Sequence, residues 1–111
     1  MAVTKPRLEG LVVGEYGKVQ TITLKDFEGN AQDISSYTAY TIVCRSPEGT
    51  KTVTADASFT TDGTDGKLSW SFSTGSYIDR DGEWDCQVEL TKTGHKSKTY
   101  PFIIPVEKSL R

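Results

Sequence analysis

The sequence predicts an all-β protein built as a two-layer sandwich of short antiparallel strands, and three observations predict it. Apolar residues make up only 35% of the 111 residues and charged residues 25%, beside many Thr, Ser and Gly. This composition suits thin sheets better than a helix bundle, which needs more Leu and Ala. Apolar and polar residues alternate with a period of two in several segments. Turn-forming residues separate those segments every ~8–12 residues.

The clearest strand is GEWDCQVEL, residues 82–90, in which one face is apolar and the other acidic. Successive side chains of a strand point to opposite faces, so the apolar row should enter the core and the acidic row should meet water or a partner. Burying each large apolar side chain contributes roughly 1.5–3 kcal/mol. The predicted buried row is Trp84, Cys86, Val88 and Leu90.

Six further segments also have strand character, giving about seven short strands in all. They are residues 11–16, 18–26, 37–46, 50–60, 66–73 and 97–108. Their β-branched and aromatic content fits a pleated, half-buried surface. The predicted inward positions among them are Tyr40, Ile42, Cys44, Leu68, Trp70 and Phe72. In residues 18–26, Ile22 and Leu24 share one face with Gln20 and Asp26. In the last segment, Pro101 and Pro105 predict an edge strand or bulged pairing.

The connecting segments carry turn chemistry. SPEG, residues 46–49, predicts a tight turn because Pro47 presets its φ and Gly49 closes it. TKTGHK predicts a hairpin turn around Gly94. Residues 74–82 fit either a single helical turn or a plain loop. Short strands with such regular turns indicate an antiparallel β-sandwich of immunoglobulin-like appearance.

One domain is predicted, with a flexible N-terminal arm over residues 1–9, the sandwich over 10–107 and a tail over 108–111. The apolar run LVV near the N-terminus is much shorter than the ~7–15 residues of a signal-peptide core. No segment approaches the ~20 apolar residues of a membrane span. We therefore expect synthesis in the cytoplasm, no export by a classical route and no membrane partner.

The charge balance argues against a nucleic-acid partner. Lys and Arg total 13 against 15 Asp and Glu, for a net charge of −2, and no basic block is present. Binding to a phosphate backbone needs clustered cations.

Cys44 and Cys86 both fall on predicted inward positions, which leaves two interpretations. They could form an immunoglobulin-type disulfide, or they could be two buried thiols that act as small hydrophobic residues. The separation, 86 − 44 = 42 residues, is short for that disulfide, and Trp70 lies nearer the second cysteine than the antibody pattern places it. A reducing cytoplasm also favours free thiols.

Catalytic chemistry is not predicted, and neither is a cofactor. The single histidine, His95, sits in a polar hairpin turn, and both cysteines are predicted to be buried. Calcium is the one metal option, because acidic loops supply oxygen ligands. Asp62 and Asp65 occupy one such loop, and Asp79, Asp81 and Asp85 another, but neither loop completes the EF-hand pattern. The plainer interpretation is that Asp and Gly form the turns.

Tyrosines near strand ends or loops are candidates for contact with a protein or a glycan, since Tyr combines an apolar ring with a polar hydroxyl. We single out Tyr16, Tyr37 and Tyr77. A second function remains open from these residues, namely a bacterial surface or secreted module that binds glycans or proteins.

Two stretches carry a resemblance to a known family. Residues 17–52, GKVQTITLKDFEGNAQDISSYTAYTIVCRSPEGTKT, place an extended strand before D-x-x-G-N, an acidic D-I-S and a strand ending in R-S-P-E-G-T. Residues 82–107 add a strand with Trp and Leu, a polar hairpin and a closing strand. Over residues 15–107 the chain resembles the N-terminal immunoglobulin-like domain of phage baseplate upper proteins and related tail, fibre and capsid-decorating proteins.

The resemblance implies an immunoglobulin-like sandwich without catalytic residues, located in a bacteriophage virion. Its partners would be other virion proteins, with the chain present as a homo-oligomer or in many copies on a lattice. The short chain favours a capsid decoration, head-fibre or tail accessory subunit. The arm, including Pro6 and Arg7, would become ordered against a neighbouring subunit.

Overall fold

The computed structural model describes residues 8, 10–25, 29–98 and 102–109, and within these ranges the protein is all-β with two sheets and no helix. The strands are β1 (Leu11–Val12), β2 (Gln20–Thr23), β3 (Ala39–Arg45), β4 (Thr52–Asp56), β5 (Ser58–Phe59), β6 (Lys67–Trp70), β7 (Gly82–Lys92), β8 (His95–Lys98) and β9 (Phe102–Glu107).

The larger sheet has the order β1-β9-β7-β3-β4, with β8 also paired to β7. β7 is its longest strand, with 11 residues, and lies at its centre. One flank of β7 pairs along β3, from Ala39↔Thr91 to Arg45↔Asp85. Its other flank pairs first with β9 and then with β8. The long alternating segment therefore organises the sheet.

The smaller sheet has the order β2-β6-β5 and is antiparallel throughout. It packs face to face with the larger sheet, as two ring contacts between the layers indicate. The rings of Trp70 on β6 and Phe102 on β9 lie 5.9 Å apart, and those of Tyr40 on β3 and Phe59 on β5 lie 4.6 Å apart. The described residues thus form a β-sandwich.

The alternation correctly predicted the core. The predicted inward positions are buried, apart from Tyr40, which is half-buried with its hydroxyl donating to the Tyr37 carbonyl. Further buried residues come from the ends of strands and from loops. They are Leu11, Ile34, Val53, Ile78, Phe102, Ile104 and Val106.

Two predicted strands are each divided in the structure, so nine strands are described where about seven were expected. The predicted strand over residues 50–60 is two strands in different sheets, because the chain crosses from one layer to the other at Ala57. The predicted strand over 97–108 begins earlier and splits into β8 and β9, both paired with β7. The β1–β9 pair is parallel, so the expectation of a purely antiparallel fold was also wrong.

The predicted turns formed where expected. The Gly49 N–H donates to the Ser46 carbonyl at 2.9 Å, with φ of +80° at Gly49. Gly94, with φ of +74°, lies in the turn between Lys92 and His95, which pair at the start of the β7–β8 hairpin. Residues 74–82 form a loop rather than a helical turn, and the Trp84 indole N–H fixes it by donating to the Arg80 carbonyl at 3.0 Å.

Candidate docking segment and neighbouring sites

The segment from Val12 to Val19, here called the docking segment, connects the larger sheet to the smaller one. A tight turn begins it, in which the Glu15 N–H donates to the Val12 carbonyl and the Val12 N–H donates to the Glu15 carboxylate, each at 2.9 Å. Gly14, with φ of +86°, provides the left-handed conformation in this turn. The turn is thus closed by its own residues.

The loop before β7 holds the docking segment in place. The N–H groups of Gly14 and Gly17 donate to the carbonyls of Ile78 and Phe72, each at 2.8 Å. Gly75 allows this close approach, because a Cβ there would lie 2.6 Å from the Gly14 carbonyl oxygen. Several backbone contacts therefore position the segment, although it belongs to neither sheet over most of its length.

The docking segment carries exposed apolar side chains. Among the described residues, the exposed large hydrophobics are Val12, Tyr16 and Val19, at 43%, 65% and 68% exposure. Single exposed apolar residues are common, but a group of them on one short segment is a feature of interaction sites. The candidate Tyr16 therefore lies on the same short segment as two exposed valines that the sequence analysis did not select.

The other two candidate tyrosines lie in different surroundings. Tyr37 is half-buried, with the Lys92 ammonium 4.9 Å from its ring centroid and the His95 ring centroid 5.9 Å away. These contacts give it a local role in packing against the β7–β8 hairpin. Tyr77 is also half-buried, edge-on to Phe72 at 6.1 Å. The three tyrosines do not form one site.

Tyr77 lines an open groove of about 390 Å³ between the two sheets. The groove walls are mostly polar and belong to β4 and to the chain that follows β6. They are Thr54, Ala55, Asp56, Ser71, Ser73 and Tyr77. No side-chain hydrogen bond joins the Asp56, Ser71 or Ser73 side chain to another described residue.

The candidates Pro6 and Arg7 lie outside the described residues.

The calcium option finds no support in the geometry. Asp79 accepts hydrogen bonds from the Lys51 ammonium at 2.9 Å and from the Arg80 guanidinium at 2.8 Å, so its charge is already neutralised by cations. Asp81 and Asp85 do not form a metal site with Asp79. The described residues contain no group of three acidic, His or Cys side chains able to hold a metal ion.

The other acidic loop uses its carboxylates to form turns. Asp62 accepts from the Thr64 N–H at 3.0 Å, and Asp65 accepts from the Lys67 N–H at 3.1 Å. These short-range bonds are the ordinary reason for Asp in a loop.

The Asp79 cluster extends to the turn before β4. Arg80 also binds Glu48, and hydrogen bonds from Ser46, Arg80 and Thr50 lower the pKa of Glu48 to about 2. Hydrogen bonds from Arg80 and Lys51 likewise hold the pKa of Asp79 well below its usual range. Two carboxylates kept ionised beside two cations form a structural ion-pair cluster, and its members are too exposed to contribute much stability.

The cysteines are free thiols, which excludes the immunoglobulin-type disulfide in this state. Cys44 and Cys86 lie directly opposite each other on β3 and β7, within one sheet, whereas that disulfide joins two sheets. Burial, and then the neighbouring Cys44, raise the pKa of the Cys86 thiol far above its usual range. A protonated, buried thiol is a poor nucleophile.

His95 lies far from these thiols. It is exposed and pairs with Lys92, six residues along β7 from Cys86, which corresponds to ~20 Å of strand. The arrangement therefore offers no Cys–His pair for nucleophilic catalysis.

No helix in the described ranges is long and apolar enough to cross a membrane.

Sequence reasoning missed Val12, Val19 and Glu15. A signal existed for Val19, since the alternation placed it on the same face as Thr21, Thr23 and Lys25, where an apolar residue is out of place. No comparable signal marked Glu15, whose role depends on a turn that only the structure reveals.

In comparison with known proteins, no protein-family model and no curated protein matches this chain.

Proposed function

We propose that this chain is a non-enzymatic structural component of a bacteriophage virion, docking onto other virion proteins through the docking segment. The observation that carries the proposal is the group of exposed apolar side chains, Val12, Tyr16 and Val19, on a segment fixed by backbone hydrogen bonds. The resemblance described above supplies the virion setting.

The chemistry of the segment suits a protein partner. Tyr is enriched at the centres of protein interfaces because its ring gives a large contact area at little conformational cost. A segment that is already positioned loses little freedom on binding. Accessory subunits on a lattice act in many copies, so modest contacts for each copy gain from avidity.

The strand order supports a finer proposal, that the sandwich is immunoglobulin-like. In variable-type immunoglobulin domains one sheet contains strands G, F, C and C′ and the other contains B, E and D. The orders β9-β7-β3-β4 and β2-β6-β5 correspond to these sheets. On this correspondence Cys86 occupies the F strand, and β2 supplies no cysteine to pair with it.

The decisive test is incorporation into particles. Mass spectrometry of virions purified from the phage or prophage that encodes the chain should find it in stoichiometric amounts. A variant with Tyr16→Ser and Val19→Ser should fold with an unchanged melting temperature, because both side chains are exposed, yet be depleted at least tenfold in particles.

Lys96→Ser provides the control, since it also introduces serine at an exposed position, on another part of the surface. It should be incorporated like the unaltered chain. Absence of the chain from virions contradicts the function, and normal incorporation of the double variant contradicts the role of the segment.

The groove favours a second candidate function, a surface or secreted module that binds glycans. Hydroxyl groups, the Asp56 carboxylate and the Tyr77 ring are the groups with which proteins bind sugars. A glycan array should then show binding that Tyr77→Ala abolishes and Tyr37→Ala preserves. Equal binding by both variants would exclude the groove.

A further inference from the structure

The edges of the larger sheet differ in whether they can accept another strand. At the β1 edge, the Val12 N–H already binds the Glu15 carboxylate. The outer edge of β8 carries His95, Lys96 and Lys98, and such charged edges discourage pairing. β4, with five residues, pairs only with β3 among the described strands, and its one charged residue is Asp56 at its end.

The outward backbone groups of β4 follow from its hydrogen bonds to β3. The Ser46 N–H donates to the Lys51 carbonyl and the Ala57 N–H donates to the Tyr40 carbonyl, each at 2.9 Å. Because hydrogen-bonded and non-hydrogen-bonded pairs alternate in an antiparallel ladder, Val53 and Ala55 also bond toward β3. The N–H and C=O groups of Thr52, Thr54 and Asp56 therefore point away from the sheet.

An open groove lies beside this edge. The groove runs along Thr54 and Asp56, and its opposite wall, Ser71 and Ser73, continues β6 beyond the point where β5 leaves it. Thr54 and Asp56 have exposed side chains, and the strand contains no Pro, no Lys and no bulge. The only residue of β4 that can oppose pairing is therefore Asp56, through its charge.

We infer that two copies of this chain pair through β4, antiparallel and centred on Thr54, to form one continuous sheet across a two-fold axis. Thr54 would pair with the partner's Thr54, and Thr52 with the partner's Asp56. These pairs supply about six backbone hydrogen bonds, since each outward residue exchanges two with its counterpart. The same strand serves both copies, as a two-fold interface requires.

Strand length and charge together select this register. With Thr52 at the centre, Thr54 would face the partner's Thr50, which lies outside β4, so the ladder would be shorter. With Thr54 at the centre, the two Asp56 carboxylates lie four residues apart along the pair, or ~13 Å. With Asp56 at the centre, the two carboxylates would face each other directly, which is destabilising. The Thr54-centred pair instead places Thr beside Thr, a favourable cross-strand contact.

The dimer would carry a docking segment on each copy, at the far sides of the joined sheet, because β1 and β4 lie at opposite ends of the strand order. Bivalent docking follows from this arrangement, although the pairing itself does not depend on the proposed function.

Sedimentation velocity of the full chain tests the inference. One strand pair is a small interface, so we expect a concentration-dependent dimer with Kd roughly in the micromolar to millimolar range. Hydrogen exchange at the Thr54 and Asp56 amides should slow as the protein concentration rises. A chain that remains monomeric throughout this range overturns the inference.

Substitutions at Thr52 test the register, because each copy would hold residue 52 opposite the partner's Asp56. Thr52→Lys creates two opposite-charge pairs and should lower Kd about two- to thirtyfold, from ~0.2–1 kcal/mol for each pair. Thr52→Asp creates two like-charge pairs and should raise Kd by a similar factor. Shifts in the same direction for both variants exclude this register.

Thr54→Pro removes the central donors while sparing the β3–β4 hydrogen bonds, since the Thr54 N–H points outward. It should raise Kd about tenfold or more, and its circular dichroism should match that of the unaltered chain. Thr23→Pro, on the outer edge of β2, is the matched control and should leave Kd unchanged. Weakening by Thr23→Pro alone would place the interface on β2 and overturn the inference.

The failures of the two proposals can be told apart. A chain that dimerises but is absent from virions refutes only the proposed function. A Thr54→Pro chain whose Kd equals that of the unaltered chain refutes only the β4 pairing, whatever the virion result. Glycan binding in the groove of a chain that stays monomeric supports the second function and overturns the dimer.

Discussion

The β1 edge and the β4 edge of the larger sheet differ in the groups that they present to solvent. At the β1 edge the outward N–H of Val12 is bonded to Glu15, while apolar side chains project into solvent. At the β4 edge the backbone of Thr54 points outward with no described strand beside it, and the exposed side chains are polar. One edge thus offers side chains to a partner, and the other offers backbone.

This difference separates two kinds of recognition. Side-chain contacts depend on which residues a partner presents, so the β1 edge suits docking onto a different protein. Backbone hydrogen bonds need only another extended strand in register, so the β4 edge suits a second copy. Both edges depend on the shared core for their position.

The largest effect is expected from shortening the buried residue that anchors the β1 edge. β1 has two residues, and Leu11, at 3% exposure, is its only contribution to the core. Leu11→Ala should reduce the free energy of unfolding by ~2–5 kcal/mol. Val53→Ala is the matched change on β4 and should cost ~1.5–2 kcal/mol through the loss of two methyl groups. Urea denaturation of both variants measures the difference, and a greater loss for Val53→Ala would contradict this account.

A smaller effect is expected at the contact between the docking segment and the loop beneath it. Gly75→Ala places a Cβ 2.6 Å from the Gly14 carbonyl oxygen, so the turn must move. We expect a loss of ~1–3 kcal/mol in the free energy of unfolding. Ser73→Ala, on the exposed surface of the same loop, should stay within ~0.5 kcal/mol. Equal urea midpoints for the two variants would show that the close approach does not matter.

Removing the carboxylate that closes the β1 edge should have a still smaller effect on stability. Glu15→Ala leaves the exposed Val12 N–H without its acceptor, at a cost of ~0.5–1.5 kcal/mol. Amide exchange at Val12 should become faster, and exchange at Thr54 should not change. Glu15→Gln keeps an acceptor oxygen and should preserve part of the protection. Unaltered exchange at Val12 in the alanine variant would mean that this edge is not closed by Glu15.

Residue patterns were sufficient to predict the layers and the core. The alternation in β7 identified Trp84, Cys86, Val88 and Leu90 as inward, and all four are buried. Period-two patterning encodes burial directly, because a strand between water and a core must separate its two kinds of side chain.

The sequence contains no comparable pattern that indicates which strands pair with each other. The crossing between sheets at Ala57 occurs within residues 50–60, which contain no Gly or Pro, so no turn residue marks the point where the chain changes layers. The sequence also did not indicate that β1 pairs in parallel with β9, since the two residues of β1 are too few to show a periodic pattern. Both features depend on contacts between residues distant in the sequence.

The candidate sites were predicted less well than the core. Tyr16 was selected, but the same reasoning also selected Tyr37, which packs against Lys92 and His95. A tyrosine near a strand end gives no sign of whether its ring meets solvent or a neighbouring hairpin. The plainer interpretation of the acidic loops, that Asp forms turns, agrees with the hydrogen bonds of Asp62 and Asp65. The sequence did not show that Asp79 is neutralised by Lys51, which is distant in the chain, and by the adjacent Arg80.

The smallest effect is expected from the ion-pair cluster beside the β4 edge. The pKa of Glu48 is lowered to about 2 in the folded chain, chiefly by Ser46 and then by Arg80, and that of Asp79 is also lowered. A lowered folded pKa contributes stability above the unfolded value, here about 4.5 for Glu and 3.8 for Asp, and that stability is lost as pH falls toward 2. The urea midpoint should therefore decline between about pH 5 and pH 2.

Arg80→Gln isolates this contribution, because it removes the cation that joins Glu48 to Asp79. The variant should be slightly less stable than the unaltered chain at pH 6, and the difference in stability should narrow as the pH falls toward 2 and Glu48 becomes protonated. Salt should narrow the difference at pH 6, since the cluster is exposed to solvent. Glu15→Ala is the comparison, because the Glu15 carboxylate accepts a hydrogen bond from a backbone N–H and not from an arginine. The free energy of unfolding lost in this variant should be the same at low and high salt to within ~0.5 kcal/mol. A difference in stability for Arg80→Gln that does not narrow between pH 6 and pH 2 would mean that Arg80 stabilises the turn before β4 by packing rather than by charge.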